Sequence, residues 1–273
     1  MVIGASGLGA TVALELHAVS KRFGATLALD AVDLVVARGE VVALLGANGA
    51  GKSTLAKIAS GVIEPDSGSV KIAGQAVRLA SPSAAREAGV VIVHQRTDQL
   101  GAAGLTVAEN LVLDGLCGGG IGFSARPARI RRLAAKIAAE IGLDLALNAD
   151  FASLGPAQRQ LVAIARAVAA DASLLILDEP TASLAASEAA ILFGVMDRLR
   201  ARGVGLLYIS HRMSDIQRVA DRIVVLRNGR NVGEHKRPFD LSQSIRQMIG
   251  RDLSARASPA PREERPAEIL RIE

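Results

Sequence analysis

Aromatic residues and cysteine are scarce in this sequence of 273 residues. It contains five Phe, one Tyr and no Trp, so it offers few of the stacking platforms to which single-stranded nucleic acids bind. Cys117 is the one cysteine, which excludes an internal disulfide, and it stands in a Gly-rich stretch without metal-ligand companions. A single thiol is compatible with a reducing compartment.

Long uncharged apolar runs are also missing. The most apolar stretch, residues 161–177, is interrupted by Arg166 and Asp171, so no transmembrane helix is expected. Residues 1–13 lack the basic residues that open a secretory signal and are interpreted as a flexible extension. The net charge of +5 alone would suggest an anionic partner. Its positive charges are interspersed with Asp and Glu, however, and no nucleic-acid partner is expected.

The remaining pattern indicates an α/β domain, because short apolar runs alternate with helical periodicity. Continuous apolar runs at 41–46, 89–95, 174–179 and 205–210 are typical of parallel strands covered on both faces. The stretches "ALELHAV" and "AVDLVVA" alternate like half-exposed antiparallel strands. An Asn-Gly dipeptide between the last two strand patterns predicts a hairpin. Polar residues end each continuous run, at the sheet edge where ligands bind.

Between Thr97 and about Gln160 the sequence predicts helices, which indicates a helical subdomain inserted into the sheet domain. One of these helices, in "ARIRRLAAKIAAEIGL", is predicted to begin near Ser124 and to end at Gly142. From Ser254 onward, Pro, Ala, Arg and Glu dominate and indicate a linker. The final "EILRIE" alternates like the first strand of a further domain.

The stretch "GANGAGKST" lies between a predicted strand and a predicted helix and matches the phosphate-binding pattern G-x-x-x-x-G-K-[ST]. Its glycines allow successive backbone N–H groups to converge on phosphate oxygens at the start of a helix. Lys52 is predicted to contact the β- and γ-phosphates, Ser53 to bind Mg²⁺ and Thr54 to contact another phosphate oxygen. The predicted loop comprises Gly46, Ala47, Asn48, Gly49, Ala50, Gly51, Lys52, Ser53 and Thr54.

Two adjacent acids follow the buried run "LLIL". Asp178 is suited to bind Mg²⁺, and Glu179 is suited to be the general base that polarises an attacking water. Either acid is also suited to cap the next helix. Gln95 and His211 end two other predicted strands, and each is a weak signal alone. Because the carboxyl ends of parallel strands meet at one sheet edge, these side chains together predict a site for nucleotide hydrolysis.

In this order, the motifs resemble those of the ATP-binding subunit of ABC transporters, over residues 14–253. The resemblance implies a P-loop NTPase fold of the α/β class, with a mixed sheet, an antiparallel β subdomain and an inserted helical subdomain at about 97–160. It implies that the domain binds ATP and Mg²⁺ and hydrolyses ATP. It assigns the adenine contact to Phe23, the magnesium contacts to Ser53, Gln95 and Asp178, and catalysis to Glu179, His211 and Gln95.

Longer phrases such as "SPSAAREAGVVIVHQ" and "ISHRMSDI" are similar to those of importers of monosaccharides such as ribose, galactose and xylose. The ATPases of nucleoside importers have similar phrases and are an alternative. Subunits of the sugar group usually contain two ATPase halves. Residues 14–253 are therefore interpreted as a first half, and residues 254–273 as a linker and the start of a second. A complete single-domain protein is the alternative.

The resemblance also places "SLGPAQRQ" on the family signature LSGGQ, which contacts the ATP of a partner domain. The signature positions are Leu154, Gly155, Pro156, Ala157 and Gln158. Gly155 replaces a serine hydroxyl, Ala157 replaces a glycine, and Pro156 lacks an N–H. Ala185 replaces the aspartate of a neighbouring motif. Because the two halves face each other head to tail, these changes weaken the partner's site, and the chain is interpreted as a half-enzyme with an intact catalytic side of its own.

The implied protein is a peripheral ATPase at the cytoplasmic face of the bacterial inner membrane. Its implied partners are transmembrane permease subunits and either a second ATPase half or a homodimer partner. A periplasmic substrate-binding protein would deliver the substrate without touching this chain. Two other classes stay open: a soluble ABC ATPase that acts on ribosomes or DNA, and a regulatory domain with impaired turnover of ATP. The long inserted arms typical of the first class are not seen in the sequence.

Overall fold

The computed structural model describes residues 12–93, 101–117, 126–169, 171–182 and 184–250. Its strands are β1 (Val12–Phe23), β2 (Thr26–Ala37), β3 (Val41–Leu45), β4 (Ser67–Ile72), β5 (Gln75–Ala76), β6 (Val90–Val93), β7 (Leu174–Asp178), β8 (Gly205–Ile209), β9 (Arg222–Arg227) and β10 (Arg230–Lys236). Its helices are α1 (Lys52–Ala59), α2 (Pro82–Glu87), α3 (Val107–Leu111), α4 (Leu113–Cys117), α5 (Pro127–Ile141), α6 (Pro156–Ala169), α7 (Ala186–Ala201), α8 (Met213–Val219) and α9 (Leu241–Ile249).

Two sheets form the framework of the domain. The first has the strand order β2-β1-β4-β5, and every pairing in it is antiparallel. The second has the order β10-β9-β3-β8-β7-β6 and is parallel except for the β9–β10 hairpin. The expected α/β class, with an antiparallel β subdomain and a mixed sheet, is confirmed. Strands β4 and β5 were not predicted, because in β4 only Val70 and Ile72 are buried and the alternation is too short to recognise.

The continuous apolar runs form the central strands because these strands are covered on both faces. In β7, Leu175 and Leu177 pack into the core that the second sheet shares with the helical subdomain. Leu174 and Ile176 point to the opposite face and pack into the core between the two sheets, around α1. Since successive side chains of a strand point to opposite faces, a strand between two cores must be apolar at every position.

The helical subdomain lies between β6 and β7 in the chain, and α3, α5 and α6 pack on one another. Helix α5 ends at Gly142, whose φ of 60° is left-handed, as the sequence predicts. The predicted cap Ser124 lies outside the described residues. Helix α6 continues to Ala169, beyond the predicted limit near Gln160, and leads the chain from the helical subdomain back towards β7. Within the described ranges, no helix is both long and apolar enough to cross a membrane.

Candidate functional site

Three neighbouring strands carry predicted site residues to one edge of the second sheet. Ile209, at the end of β8, lies opposite Leu44 of β3 on one side and Asp178 of β7 on the other. The phosphate loop follows β3, Glu179 follows β7 and His211 follows β8. The structure therefore brings these three parts of the chain together. Gln95 lies outside the described residues.

The backbone path of the phosphate loop depends on its glycines. Gly51 has a φ of 106° and immediately precedes α1, and a Cβ at this position would lie 2.7 Å from the carbonyl oxygen of Ala28. At Gly46 a Cβ would lie 2.7 Å from the carbonyl oxygen of Leu226. Both distances are below van der Waals contact, so neither position accepts a side chain without a shift of the backbone.

The start of α1 is suited to an anion. No side chain caps this end of the helix and no acidic residue lies in its first turn, so its N–H groups and the positive end of the helix dipole face the loop. Lys52 folds over the same loop: its Nζ donates to the carbonyl oxygens of Gly46, at 2.6 Å, and Ala47, at 3.1 Å. Partial burial lowers the pKa of Lys52, and the negative charges of Glu179 and Asp178 act in the opposite direction.

A cavity of about 430 Å³ opens above the loop. It is lined by Thr26, Leu27, Ala28, Asn48, Gly49, Ala50, Gly51, Lys52, Ser53, Thr54 and Asn228. The phosphate loop contributes residues 48–54 to this lining, and the start of β2 contributes residues 26–28. Sequence reasoning missed the three β2 residues, which have no motif of their own, and it interpreted Asn228 only as part of a hairpin turn.

Phe23 lies at the end of β1 and pairs with Thr26 across the β1–β2 turn, beside the cavity. Its side chain is half exposed. Lys21 Nζ lies 5.8 Å from the centre of the Phe23 ring. An exposed ring next to a residue that lines a phosphate-binding cavity is suited to stack on a planar base.

The residues present fit ATP with Mg²⁺. The cavity combines a helix N-terminus and Lys52, and Phe23 pairs with Thr26 of its lining. These groups match the phosphates and the base of a nucleotide. Among the described residues, no three His, Cys, Asp or Glu side chains form a metal cage. At nucleotide sites, Mg²⁺ is held by one or two protein ligands together with phosphate oxygens. Ser53 in the cavity and Asp178 at the end of β7 are suited to be those ligands.

Glu179 and His211 contact each other at this edge. His211 Nδ1 lies 2.9 Å from Glu179 Oε1, and the His211 side chain is 72% exposed whereas that of Glu179 is 18% exposed. Glu179 Oε2 is buried and has no hydrogen-bond partner within the described part of the chain. The Glu179 backbone has a φ of 50°, in the left-handed region that residues other than glycine rarely adopt. One carboxylate oxygen is thus held by a histidine while the other is left without a bond.

The signature residues lie elsewhere, at the start of α6. None of residues 154–158 lines the cavity. Gly155 N donates to Gln158 Oε1 at 3.1 Å, and a Cβ at Gly155 would meet no atom closer than 3.9 Å. Ala157 is buried, with 5% of its surface exposed. Leu154 is buried in the core that the second sheet shares with the helical subdomain, and Pro156 is exposed in the first turn of the helix.

Ala185 is the residue that precedes α7. Its backbone N–H donates to Glu188 Oε2 at 2.8 Å, which is one half of a capping box. The other half needs a side-chain acceptor at position 185, and alanine has none. The missing aspartate therefore leaves an unfilled acceptor position at a helix N-terminus.

Comparisons with known proteins agree with this geometry. The ABC transporter family model matches residues 29–182. The chain is 45% identical over 249 residues to the ribose import ATP-binding protein RbsA 1 of Burkholderia thailandensis, which covers 91% of this chain and 49% of that protein. It is 40% identical over 254 residues to the arabinose import ATP-binding protein AraG 1 of Burkholderia ambifaria, covering 92% and 50% of the two chains. The chain thus spans about half the length of the curated relatives it matches.

Solved structures give the same result. The ADP conformation of MJ1267, an ATP-binding cassette of an ABC transporter, superposes with a TM-score of 0.74 at 26% identity, over 88% of this chain and 99% of that one. A dimeric post-hydrolysis state of the cassette MJ0796, bound to ADP and phosphate, has a TM-score of 0.69 at 25% identity, over 83% and 100%. The chain belongs to the ABC transporter family and is a nucleotide-binding, ATP-binding-cassette domain of that family.

Proposed function

We propose that this domain hydrolyses ATP and that the hydrolysis energises import of a monosaccharide through a membrane transporter. The observation that carries the proposal is the Glu179–His211 contact of 2.9 Å at the sheet edge that also holds the phosphate loop. The names of similar proteins support a sugar as the substrate, since they are ribose and arabinose import ATP-binding proteins. This domain would not contact the sugar itself.

In the proposed reaction, the loop and the α1 N-terminus bind the phosphates and Phe23 stacks on adenine. Lys52, which now donates to Gly46 and Ala47, would turn its Nζ towards the β- and γ-phosphates. Ser53 and Asp178, with Gln95, would hold Mg²⁺. When bound, this ion neutralises phosphate charge as the terminal P–O bond breaks.

Glu179 is the proposed general base. Because His211 Nδ1 lies at Oε1 and Oε2 has no partner in the described structure, Oε2 is the atom that would accept a hydrogen bond from the attacking water. Partial exclusion from solvent strengthens such a bond. His211 would orient the carboxylate and remain exposed enough to reach the terminal phosphate.

The proposed working unit contains two ATPase halves. Leu154, Gly155, Pro156, Ala157 and Gln158 would face the nucleotide of the other half, because none of them lines the cavity of their own chain. The matched relatives, which are about twice as long, and the dimeric cassette support this arrangement. Residues 14–253 would form the ATPase domain, after an extension over 1–13, and residues 254–273 would lead into a second half.

The proposed location is the cytoplasmic face of the bacterial inner membrane. Transmembrane permease subunits would bind the ATPase pair, and a periplasmic substrate-binding protein would bring the sugar to the permease. Deletion of the gene should abolish uptake of at least one monosaccharide. Unchanged uptake of every monosaccharide and nucleoside tried would refute the transport role while leaving the ATPase assignment open to its own test.

That test measures phosphate release by the purified chain over a range of protein concentrations. The matched inactive variant is Glu179→Gln. A helper copy that carries Lys52→Ala and Gly155→Ser supplies a serine-containing signature without a competent nucleotide site of its own. We expect turnover to rise when helper is added to the wild-type chain, and no rise when it is added to Glu179→Gln. Turnover that survives Glu179→Gln would contradict the proposed base.

A second candidate is a domain that binds ATP without turnover. Gly155 and Ala185 favour it, because each lacks a polar side chain at a position where the family uses one. In the same experiment this candidate predicts nucleotide binding, measured by calorimetry, with no phosphate release either alone or with the helper.

A further inference from the structure

A buried hydrogen bond joins the loop after β7 to the start of α8. The Thr181 hydroxyl donates to Asp215 Oδ2 at 2.6 Å, between residues 34 positions apart in the chain. Thr181 is fully buried and Asp215 is 6% exposed. Ser214 Oγ donates to the other carboxylate oxygen of Asp215 at 3.2 Å. Arg212 Nε lies 3.7 Å from Asp215 Oδ2 and adds an ion pair. Loss of the Thr181 hydroxyl would therefore leave a buried carboxylate with one donor fewer.

Arg212 makes a second connection between the same two segments. Its Nη1 donates to the carbonyl oxygen of Thr181 at 2.8 Å, and its backbone N–H donates to Ser210 Oγ at 3.1 Å. Arg212 follows His211 in the chain, and Thr181 stands two residues after Glu179. The segments that carry the two catalytic side chains are therefore tied together through both the side chain and the backbone of Thr181.

Tyr208 adds a further contact to this network, on the side of β8. Its hydroxyl lies 3.4 Å from Thr181 Oγ1, and the whole side chain is buried in β8. Burial raises the pKa of Tyr208 to about 12, so the phenol stays protonated and can take part in hydrogen bonds at any physiological pH. The network thus rests on a central strand of the sheet.

The strained backbone conformation of Glu179 is what this network would stabilise. A left-handed φ of 50° is a strained conformation for glutamate, and such conformations persist where the surroundings hold them in place. On one side, Glu179 N donates to the carbonyl oxygen of Ile209 at 2.8 Å. On the other side, Thr181 is held by Asp215 and Arg212. Neither Thr181 nor Asp215 lines the nucleotide cavity, so their effect on the reaction is indirect.

We propose that Thr181 and Asp215 are positioning residues for ATP hydrolysis, whose buried hydrogen bond holds Glu179 and His211 in contact. The inference rests on the proposed ATPase function. It goes beyond that function, because the 2.9 Å contact between Glu179 and His211 would depend on two side chains that touch neither the nucleotide nor the attacking water.

The test uses Thr181→Val, which removes the hydroxyl and keeps the shape, and Thr181→Ser, which restores the hydroxyl. Thr106→Val is the matched control, since it removes a Thr hydroxyl that caps α3 through Glu109. Two quantities are measured: the ¹⁵N shift of His211 Nδ1 in the labelled chain at neutral pH, and kcat and KM for ATP in the presence of the helper copy. Glu179→Gln gives the ¹⁵N shift of His211 without the carboxylate.

We expect Thr181→Val to move the His211 resonance most of the way to its position in Glu179→Gln. We expect kcat to fall about tenfold to hundredfold, as displacement of a catalytic group does, with KM changed less than about twofold. Thr181→Ser should restore both quantities, and Thr106→Val should change neither. An unmoved resonance in a folded Thr181→Val chain overturns the inference, and so does an equal response to Thr106→Val.

The two proposals fail in different ways. If the wild-type chain releases no phosphate even with the helper, the ATPase proposal fails, while the His211 resonance still decides whether Thr181 holds the contact. If Thr181→Val does not fold, Asp215→Asn is measured in its place. The amide accepts through one oxygen only, so one of the two hydroxyl contacts of Asp215 is lost. A shifted resonance with lowered kcat supports the inference, and wild-type values overturn it.

Discussion

Gln158 Oε1 accepts a hydrogen bond from the backbone N–H of Gly155 at 3.1 Å. Gly155 immediately precedes α6, and its carbonyl oxygen accepts the first bond of the helix, from Arg159 N at 3.0 Å. The signature segment is therefore a regular helix start even without the serine of the family. The segment lacks a hydroxyl group on its surface, but its backbone fold is intact.

Gly155→Ser should raise ATP turnover in a pair of ATPase domains when the signature of this chain completes the nucleotide site of its partner. The change is sterically free, because a Cβ at Gly155 has no neighbour closer than 3.9 Å. Loss of one donor to a developing anion typically slows a reaction about 10²- to 10³-fold, and we expect part of this factor, about tenfold, to be regained. Steady-state phosphate release is the measurement. Gly155→Ala adds the Cβ without the hydroxyl, and an equal gain from it would contradict the explanation.

Ala157→Gly should give no gain in turnover, although it restores the family's glycine. Ala157 is only 5% exposed, so its methyl group presents little surface that could stand between the signature and a partner's nucleotide. The substitution should lower the free energy of unfolding by about 1 kcal/mol, the usual difference between Ala and Gly in a helix. Urea denaturation and phosphate release measure the two effects. A faster enzyme would show that the methyl group is an obstacle.

Ala185→Asp should stabilise the domain by about 1 kcal/mol. Ala185 is exposed and has the extended backbone of a helix N-cap, and Glu188 already forms its half of the capping box. Aspartate would supply the missing acceptor and favour the positive end of α7. Thermal unfolding is the measurement, and Ala185→Asn separates the cap from the charge. If neither variant melts at a higher temperature, the cap is not what the site lacks.

Glu40→Gln should destabilise the domain in a pH-dependent way. Glu40 Oε1 accepts from Arg222 Nε at 2.7 Å and Oε2 from Ala37 N at 2.8 Å, which ties β9 to the turn after β2. Burial acts to raise the pKa of Glu40, but the bonds from Arg222 and Ala37 outweigh it and hold the pKa below its ordinary value of 4.5. The ionised group therefore stabilises the fold above that value, and this contribution is lost as the pH falls through the lowered pKa.

At pH 7 we expect Glu40→Gln to lower the free energy of unfolding by about 2 kcal/mol. The difference from the wild type should shrink as the pH falls below 4.5, and it should disappear below the lowered pKa, where the folded wild-type carboxyl is protonated as well. Urea denaturation at several pH values measures this. Glu64→Gln is the control, because the Glu64–Arg78 pair is exposed, and its effect should be smaller. A difference that does not change with pH would show that Glu40 acts through packing.

The positions of the phosphate loop and of the two acids at the end of β7 were predictable from the sequence because their geometry is local. In "GANGAGKST" a strand, a loop and a helix follow one another, and the spacing alone places Lys52 over the loop. Glu179 and His211 were predictable for a related reason. Continuous apolar runs identify parallel strands, and parallel strands deliver their ends to a common edge.

Other features depend on contacts between distant parts of the chain, and the residues that make them have no motif. Asn228 joins the nucleotide cavity because Gly229 N donates to the carbonyl oxygen of Ala50 at 3.1 Å. The sequence shows which side chains depart from the family signature, but the burial of Ala157 depends on how α6 packs. The Thr181–Asp215 bond joins two loops that meet only after β7 and β8 have paired. Local spacing specifies which chemical groups are present, whereas the packing of helices and strands decides which of them touch.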